Sequence, residues 1–203
     1  MKVERKVHSA ATCAFPVNAD KRRGFKRVLL RLFFGYPADV MPQAKKIRVL
    51  FVCMGNICRS PTAEAVFRRA VDEAGLNNLI ECDSAGTHGY HIGEPPDQRA
   101  QQAASRRGYD MSNLRGRKVG KIDFEHFDYV VAMDRRNLSL LEALCPAGHA
   151  DKLVLYCDFH AEYAGREVPD PYYGGPHGFE QVLDMIEAVS ESLVAQLRES
   201  HRK

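Results

Sequence analysis

Between Val52 and Thr62 the chain reads VCMGNICRSPT, and two of these side chains, Cys53 and Arg59, can carry a reaction together. The segment joins an apolar run, Ile47 to Val52, to a helical pattern, Pro61 to Ala74. A loop entering a helix aims backbone N–H groups and the positive end of the helix dipole at whatever is bound there, so an anion is the natural occupant. Gly55 allows backbone conformations that other residues resist, Ser60 is expected to cap the helix, and Pro61 suits its first position. Arg59 adds a planar fork for a tetrahedral oxyanion, and its charge favours thiolate over thiol at Cys53. A nucleophilic sulfur in an anion nest is the apparatus for phosphoryl transfer to sulfur, because donors around the phosphoryl oxygens stabilise the charge that spreads over them. A lone cysteine at a strand end would read as a buried apolar residue. Cys53, Gly55, Asn56, Cys58, Arg59, Ser60 and Pro61 together argue against that here.

The elements that must hold this loop follow from patterning. After Pro61 to Ala74 come an apolar run at Leu79 to Cys82, a helical pattern at Pro96 to Arg107 and a buried strand at Tyr129 to Ala132. Arg136 to Leu144 reads as a helix and Lys152 to Tyr156 as a fourth strand. Phe179, Val182, Leu183, Ile186, Val189, Leu193, Val194 and Leu197 recur at spacings of three and four, which predicts a long helix with one apolar face. Strands alternating with helices predict crossover connections and an α/β fold with a parallel sheet. In such a sheet ligands bind beyond the carboxyl ends of the strands, where the Cys53 loop stands.

Composition sets the outer limits. The chain has 203 residues, 45% hydrophobic and 27% charged, which excludes collagen-like, mucin-like and fully disordered proteins. The formal charge of +3 conceals an asymmetry: residues 1–46 carry 11 basic and 3 acidic side chains, leaving +8 on that stretch and −5 on the remainder. We therefore divide the chain into a basic, disordered N-terminal extension, 1–46, and a catalytic domain, 47–203. Within the extension, Phe25 to Phe34 could form a short basic amphipathic helix, so residues 21–34 leave room for weak contact with an anionic membrane. Met41 is an alternative start, since the residues after it lead straight into the first strand. No run reaches the roughly 18 to 20 apolar residues of a spanning helix, and six irregularly spaced cysteines suit a reducing compartment, so a cytoplasmic location is expected. No Cys or His pair has zinc spacing, so no metal or other cofactor is expected. Cys82, Cys145 and Cys157 read as packing residues, and nucleic-acid binding would rest on charge alone.

With these residues in place, the sequence resembles the low-molecular-weight protein tyrosine phosphatase family, whose loop reads V-C-x-G-N-x-C-R-S-P. Further matching segments are Asp83 to Thr87 (DSAGT), Gly93 to Arg99 (GEPPDQR), Phe127 to Asp134 (FDYVVAMD) with Asn137, and Asp170 to Gly174 (DPYYG). The resemblance implies a three-layer fold with a four-stranded parallel twisted sheet, and a metal-independent, two-step hydrolysis of phosphotyrosine through a phosphocysteine. Cys53 would be the nucleophile, Arg59 the phosphate ligand, and Asp170, between Pro169 and Pro171, the general acid and then base. Met54, Gly55, Asn56, Ile57, Cys58 and Ser60 would cradle the phosphate. Tyr90, Tyr172 and Tyr173 match aromatic walls of the cleft, and a flat phenyl ring fits between such walls. Asn56 and Ser84 resemble residues that hold the loop in shape. The family often has a histidine in the segment here written Ser112-Asn113-Leu114-Arg115, and this chain has none. Cys58 could form a reversible disulfide with Cys53 under oxidation.

The substrate expected is a tyrosine-phosphorylated protein, and a bacterial tyrosine kinase is one candidate partner. Related phosphoarginine phosphatases carry threonine where this chain has Ile57. Two alternatives stand beside this reading: a thioredoxin-coupled arsenate reductase, and a catalytically silent phosphotyrosine-binding module. The reductase needs two relay cysteines, and residues 121–130, where one is expected, contain none.

Overall fold

The computed structural model describes residues 46–173 and 175–202. Residues 1–45 of the extension, with the Phe25 to Phe34 segment and its proposed lipid contact and Met41, lie outside the described residues. From Ile47 onward the order is β1 (Ile47–Cys53), α1 (Arg59–Glu73), β2 (Ile80–Gly86), α2 (Gln98–Arg106), α3 (Asp123–His126), β3 (Tyr129–Ala132), α4 (Arg135–Leu144), β4 (Leu153–Leu155) and α5 (Gly175–Arg202). Short 3-10 turns occupy 150–152, 156–159 and 171–173.

The four strands form one parallel sheet in the order β2-β1-β3-β4. β1 is central, and Val49, Leu50, Phe51 and Val52 have no solvent exposure, which is why that stretch is a continuous apolar run rather than an alternating one. Alternate residues still serve opposite faces. Val49 and Phe51 join a core with α1, α2 and α5, whereas Leu50 and Val52 join a second core with Phe124 of α3 and Leu141 of α4. The larger core is sealed by α5, whose Phe179, Val182, Leu183, Ile186, Val189 and Leu193 are buried. Each such side chain contributes about 1.5–3 kcal/mol of transfer free energy. Tyr156 is fully buried beneath α5, and its hydroxyl is satisfied by the Ile186 carbonyl at 2.9 Å and Ser190 Oγ at 2.8 Å.

Several boundaries differ from the sequence reading. β2 runs four residues past its apolar segment because Asp83 to Gly86 keep pairing with β1, Gly86 lying opposite Cys53. Tyr156 leaves the fourth strand for a 3-10 turn. Helix α1 begins at Arg59, so Pro61 is its third residue, where a missing N–H still costs no hydrogen bond. Ser60 does not cap α1: it sits inside the first turn, buried, and the capping position falls to Cys58 without a side-chain bond.

The chain leaves β1 toward β2 on one side and later crosses to β3 on the other. That reversal opens a crevice at the carboxyl end of β1, where Cys53 is the last residue.

Candidate active site

Cys53, Met54, Gly55, Ile57, Cys58, Arg59, Tyr90, His91, Asp170 and Tyr172 line a cleft of about 280 Å³ at that crevice. Three elements meet there: the loop after β1, the loop after β2, and the turn at 171–173. The first two are tied together by the backbone, Thr87 N–H donating to the Cys53 carbonyl at 2.8 Å and His88 N–H to that of Met54 at 2.9 Å. Gly86 makes this approach feasible, since a Cβ there would stand 2.8 Å from the Met54 carbonyl oxygen.

Asn56 controls the shape of the Cys53 loop. Its φ of 58° is the only positive value at a non-glycine among the described residues. Asparagine tolerates this region better than other side chains. Its amide then uses every polar group: Nδ2 donates to Ser84 Oγ at 2.8 Å and Ser60 Oγ at 3.0 Å, while Oδ1 accepts the Arg117 backbone N–H at 2.9 Å. The turn brings the Asn56 backbone N–H to Cys53 Sγ at 3.3 Å, and Ser60 Oγ lies 3.0 Å from the same sulfur. The Ser60 hydroxyl has one proton to give, and its second acceptor is the Ala85 carbonyl at 3.2 Å. A negative sulfur draws that proton to itself, so the hydroxyl serves a thiolate better than a thiol.

Behind this layer stands Glu64, a residue the sequence reading did not single out. It is buried on α1, accepts from Ser84 Oγ at 2.7 Å and pairs with Arg68. Burial pushes its carboxyl above the ordinary range, against the Ser84 hydrogen bond and the Arg68 charge. The Asn-Ser arrangement thus closes through Glu64 and the Arg117 backbone, with no side chain of Ser112 to Arg115 in it. Arg117 is itself held by Asp83 at 2.8 Å and Asp123 at 3.1 Å.

Arg59 is buried, and its guanidinium is gripped from three directions. Nη1 donates to Asp134 Oδ2 at 2.6 Å and to the Val168 carbonyl at 3.2 Å, and Nη2 to Asp170 Oδ2 at 2.9 Å. Asp134 caps α4 through the Asn137 N–H at 2.6 Å, so one carboxylate orients both a helix and the arginine. Neither Asp134 nor His91, which bonds Glu94 at 2.6 Å on the cleft rim, was assigned a site role from sequence. The motif containing Asp134 was the available signal for the first. Nothing in the spacing pointed to the second.

Tyr90 is 71% exposed and stacks on His88 at 5.3 Å, forming one wall of the cleft. Tyr172 forms part of another. The Tyr173 side chain lies outside the described residues. Cys58 is buried beside Cys53, and burial, reinforced by the charges of Asp97, Cys53 and Asp170, pushes its thiol far up. It is therefore a neutral thiol at physiological pH. Cys157 is buried in the larger core, with Cys82 and Cys145 half-buried against the two cores. Burial pushes the Cys82 thiol up to about 12, as expected of a packing residue.

A model of the low molecular weight phosphotyrosine protein phosphatase family matches residues 48–203. The chain is 47% identical over 155 residues to the low molecular weight protein-tyrosine-phosphatase of Streptomyces coelicolor, covering 75% of this chain and 94% of that one. It is 43% identical over 141 residues to the human low molecular weight phosphotyrosine protein phosphatase, covering 66% and 85%. Among solved structures, a protein tyrosine phosphatase from Entamoeba histolytica with Hepes in its active site superposes with a TM-score of 0.74 at 42% identity, covering 77% of this chain and 99% of that one. With the family model spanning all four strands but for Ile47, together with the cleft and the helices behind it, the chain belongs to the low molecular weight phosphotyrosine protein phosphatase family.

Proposed function

We propose that this enzyme hydrolyses phosphotyrosine in proteins by two in-line displacements at Cys53, with Asp170 moving the proton. The observation that carries the reading is the convergence of Cys53 Sγ, the Arg59 guanidinium and the Asp170 carboxylate on one cleft, Asp170 from 111 residues beyond Arg59. In the first step Cys53 Sγ attacks phosphorus, the S–P bond forms, and the P–O bond to the phenol breaks. The leaving oxygen takes the electron pair and a proton from Asp170. In the second step water attacks phosphorus while the Asp170 carboxylate accepts its proton, and the sulfur departs as thiolate. Arg59 and the backbone N–H groups of Met54 to Cys58 hold the phosphoryl oxygens throughout, where charge develops.

The walls at Tyr90 and Tyr172 and the apolar Ile57 suit a flat aromatic ring. The substrate is a tyrosine-phosphorylated protein, with a bacterial tyrosine kinase as one candidate. The reaction is placed in the cytoplasm on the irregular cysteine spacing that suits a reducing compartment. No helix among the described residues is long and apolar enough to cross a membrane.

The deciding experiment measures phosphate release from phosphotyrosine peptide, phosphoserine peptide and phosphoarginine protein. Tyrosine-selective turnover that vanishes in Cys53→Ser is the expected result. Selective turnover of phosphoarginine, or equal rates on all three, would overturn the substrate assignment.

A further inference from the structure

The motif Gly93 to Arg99 has no part in the chemistry above, yet its last residue reaches the loop that carries the proton donor. Asp97 caps α2, its side chain accepting the Arg99 N–H at 2.8 Å, and its own N–H donates to the Ile57 carbonyl in the phosphate loop at 2.8 Å. Its carboxylate takes a two-pronged contact from Arg99, Nε at 3.0 Å and Nη2 at 2.8 Å. The remaining arm of that guanidinium, Nη1, donates to the Tyr172 carbonyl at 3.0 Å. Its Cζ lies 5.2 Å from the Tyr172 ring centre and 5.0 Å from that of Phe179. Tyr172 in turn donates its N–H to Asp170 Oδ1 at 3.2 Å.

Half-exposed ion pairs of this kind add little to stability, so stability alone does not account for so many aligned contacts on a side chain 42% exposed. What they do geometrically is fix the distance between the phosphate loop and the acid loop.

We propose that Arg99 is a positioning residue for proton transfer: anchored to the phosphate loop through Asp97, it clamps Tyr172 and so sets where Asp170 stands relative to the leaving oxygen. The proposal rests on the reading of Asp170 as general acid. A small displacement of a catalytic group is enough to slow a reaction severely. A group that only positions the acid matters most when the leaving group needs a proton. Phenyl phosphate, with a basic phenolate, depends on Asp170; 4-nitrophenyl phosphate, with a stable phenolate, depends on it far less.

The test compares kcat/KM, which reports the first displacement, for both esters with wild type, Arg99→Ala, Arg99→Lys, Asp170→Ala and the Arg99→Ala/Asp170→Ala pair. Arg99→Ala is expected to lose about tenfold on phenyl phosphate and no more than about twofold on 4-nitrophenyl phosphate. Lysine cannot make the fork and the third bond together, so Arg99→Lys falls with alanine, and it carries the comparison if alanine does not fold. Adding Arg99→Ala to Asp170→Ala is expected to cost nothing further on phenyl phosphate, and competitive inhibition by inorganic phosphate is unchanged in Arg99→Ala. Equal losses on both esters, a full additional loss in the pair, or weakened phosphate inhibition would overturn the proposal and assign Arg99 to the phosphate loop or the fold. If Asp170→Ala itself is not selective for phenyl phosphate, the general-acid reading fails instead, and that single variant distinguishes the two failures.

Discussion

Two of the three segments that meet at the cleft are held in different ways. Met54 to Cys58 is fixed by neutral hydrogen bonds: Asn56 takes up the left-handed turn and bonds Ser60, Ser84 and the Arg117 N–H, and Ser60, seven residues from Cys53, closes the turn onto the sulfur. Val168 to Tyr172 is fixed from outside, by Arg59 on Asp170, by Arg99 on Tyr172, and by the Val168 N–H donating to the Met133 carbonyl at 2.9 Å. Asp170 is also the more open group, its side chain 36% exposed against 5% for Arg59. In the loop proposed to bind phosphate, Asn56 and Cys58 are buried and Met54, Gly55 and Ile57 half-buried. The loop proposed to meet the leaving group is held by the buried Arg59 and, nearer the surface, by Arg99.

The comparison is broken first at the nucleophile. Cys53→Ser leaves the cradle but removes the nucleophilic sulfur, and turnover of phosphotyrosine peptide should become undetectable while inorganic phosphate still binds by calorimetry. Asp170→Ala strikes the opposite loop and should cost about 10²- to 10⁴-fold in kcat/KM for phosphotyrosine, the range for loss of a general acid. If the two losses were equal, the division between an anion-binding loop and a proton-moving loop would be wrong.

Asn56 sharpens the comparison by separating backbone from side chain. Asn56→Ala keeps neither the tolerance for φ of 58° nor the three hydrogen bonds, and should destabilise the fold by about 2–4 kcal/mol in denaturant unfolding. Asn56→Gly restores the backbone freedom alone and should recover about 1–2 kcal/mol of that loss without recovering activity. Equal stability in the two variants would show that backbone conformation is not what Asn56 supplies.

The smallest effect is expected at Glu64. Its carboxyl is raised by burial above the ordinary value of 4.5, so between 4.5 and its folded value the folded chain binds more protons than the unfolded one. Stability from this group is therefore present at low pH and lost as pH rises through that window. Glu64→Gln should flatten the dependence, read as a denaturation midpoint that changes less with pH than in wild type. An unchanged slope would mean that Arg68 and Ser84 offset the burial.

What could be read from sequence follows the same division. Cys53, Arg59 and the residues between them act over one turn of chain, so their types and spacing expose their chemistry. The sheet was legible because Val49 to Cys53 of β1 and Val130 to Ala132 of β3 are continuous apolar runs. Asp134 and Glu64 were not assigned because their partners, Arg59 and Ser84, lie 75 and 20 residues away and only the folded sheet brings them together. The extension of β2 was missed because Asp83 and Ser84 are polar yet still pair with β1. Ser60 was misread as a cap because a serine near a helix start serves that role by default, whereas here the sulfur and Asn56 occupy its hydroxyl.

The grip on Arg59 also sets an order of events during synthesis. The arginine belongs to the first helix among the described residues, but its carboxylate partners follow 75 and 111 residues later. A nascent chain that has exposed only β1 and α1 to solvent must keep that guanidinium in water, because burying it without a counter-charge is costly. The phosphate cradle is then among the last parts of the molecule to be completed, and a truncated product ending before Asp170 would carry the whole Cys53 loop without a finished anion site.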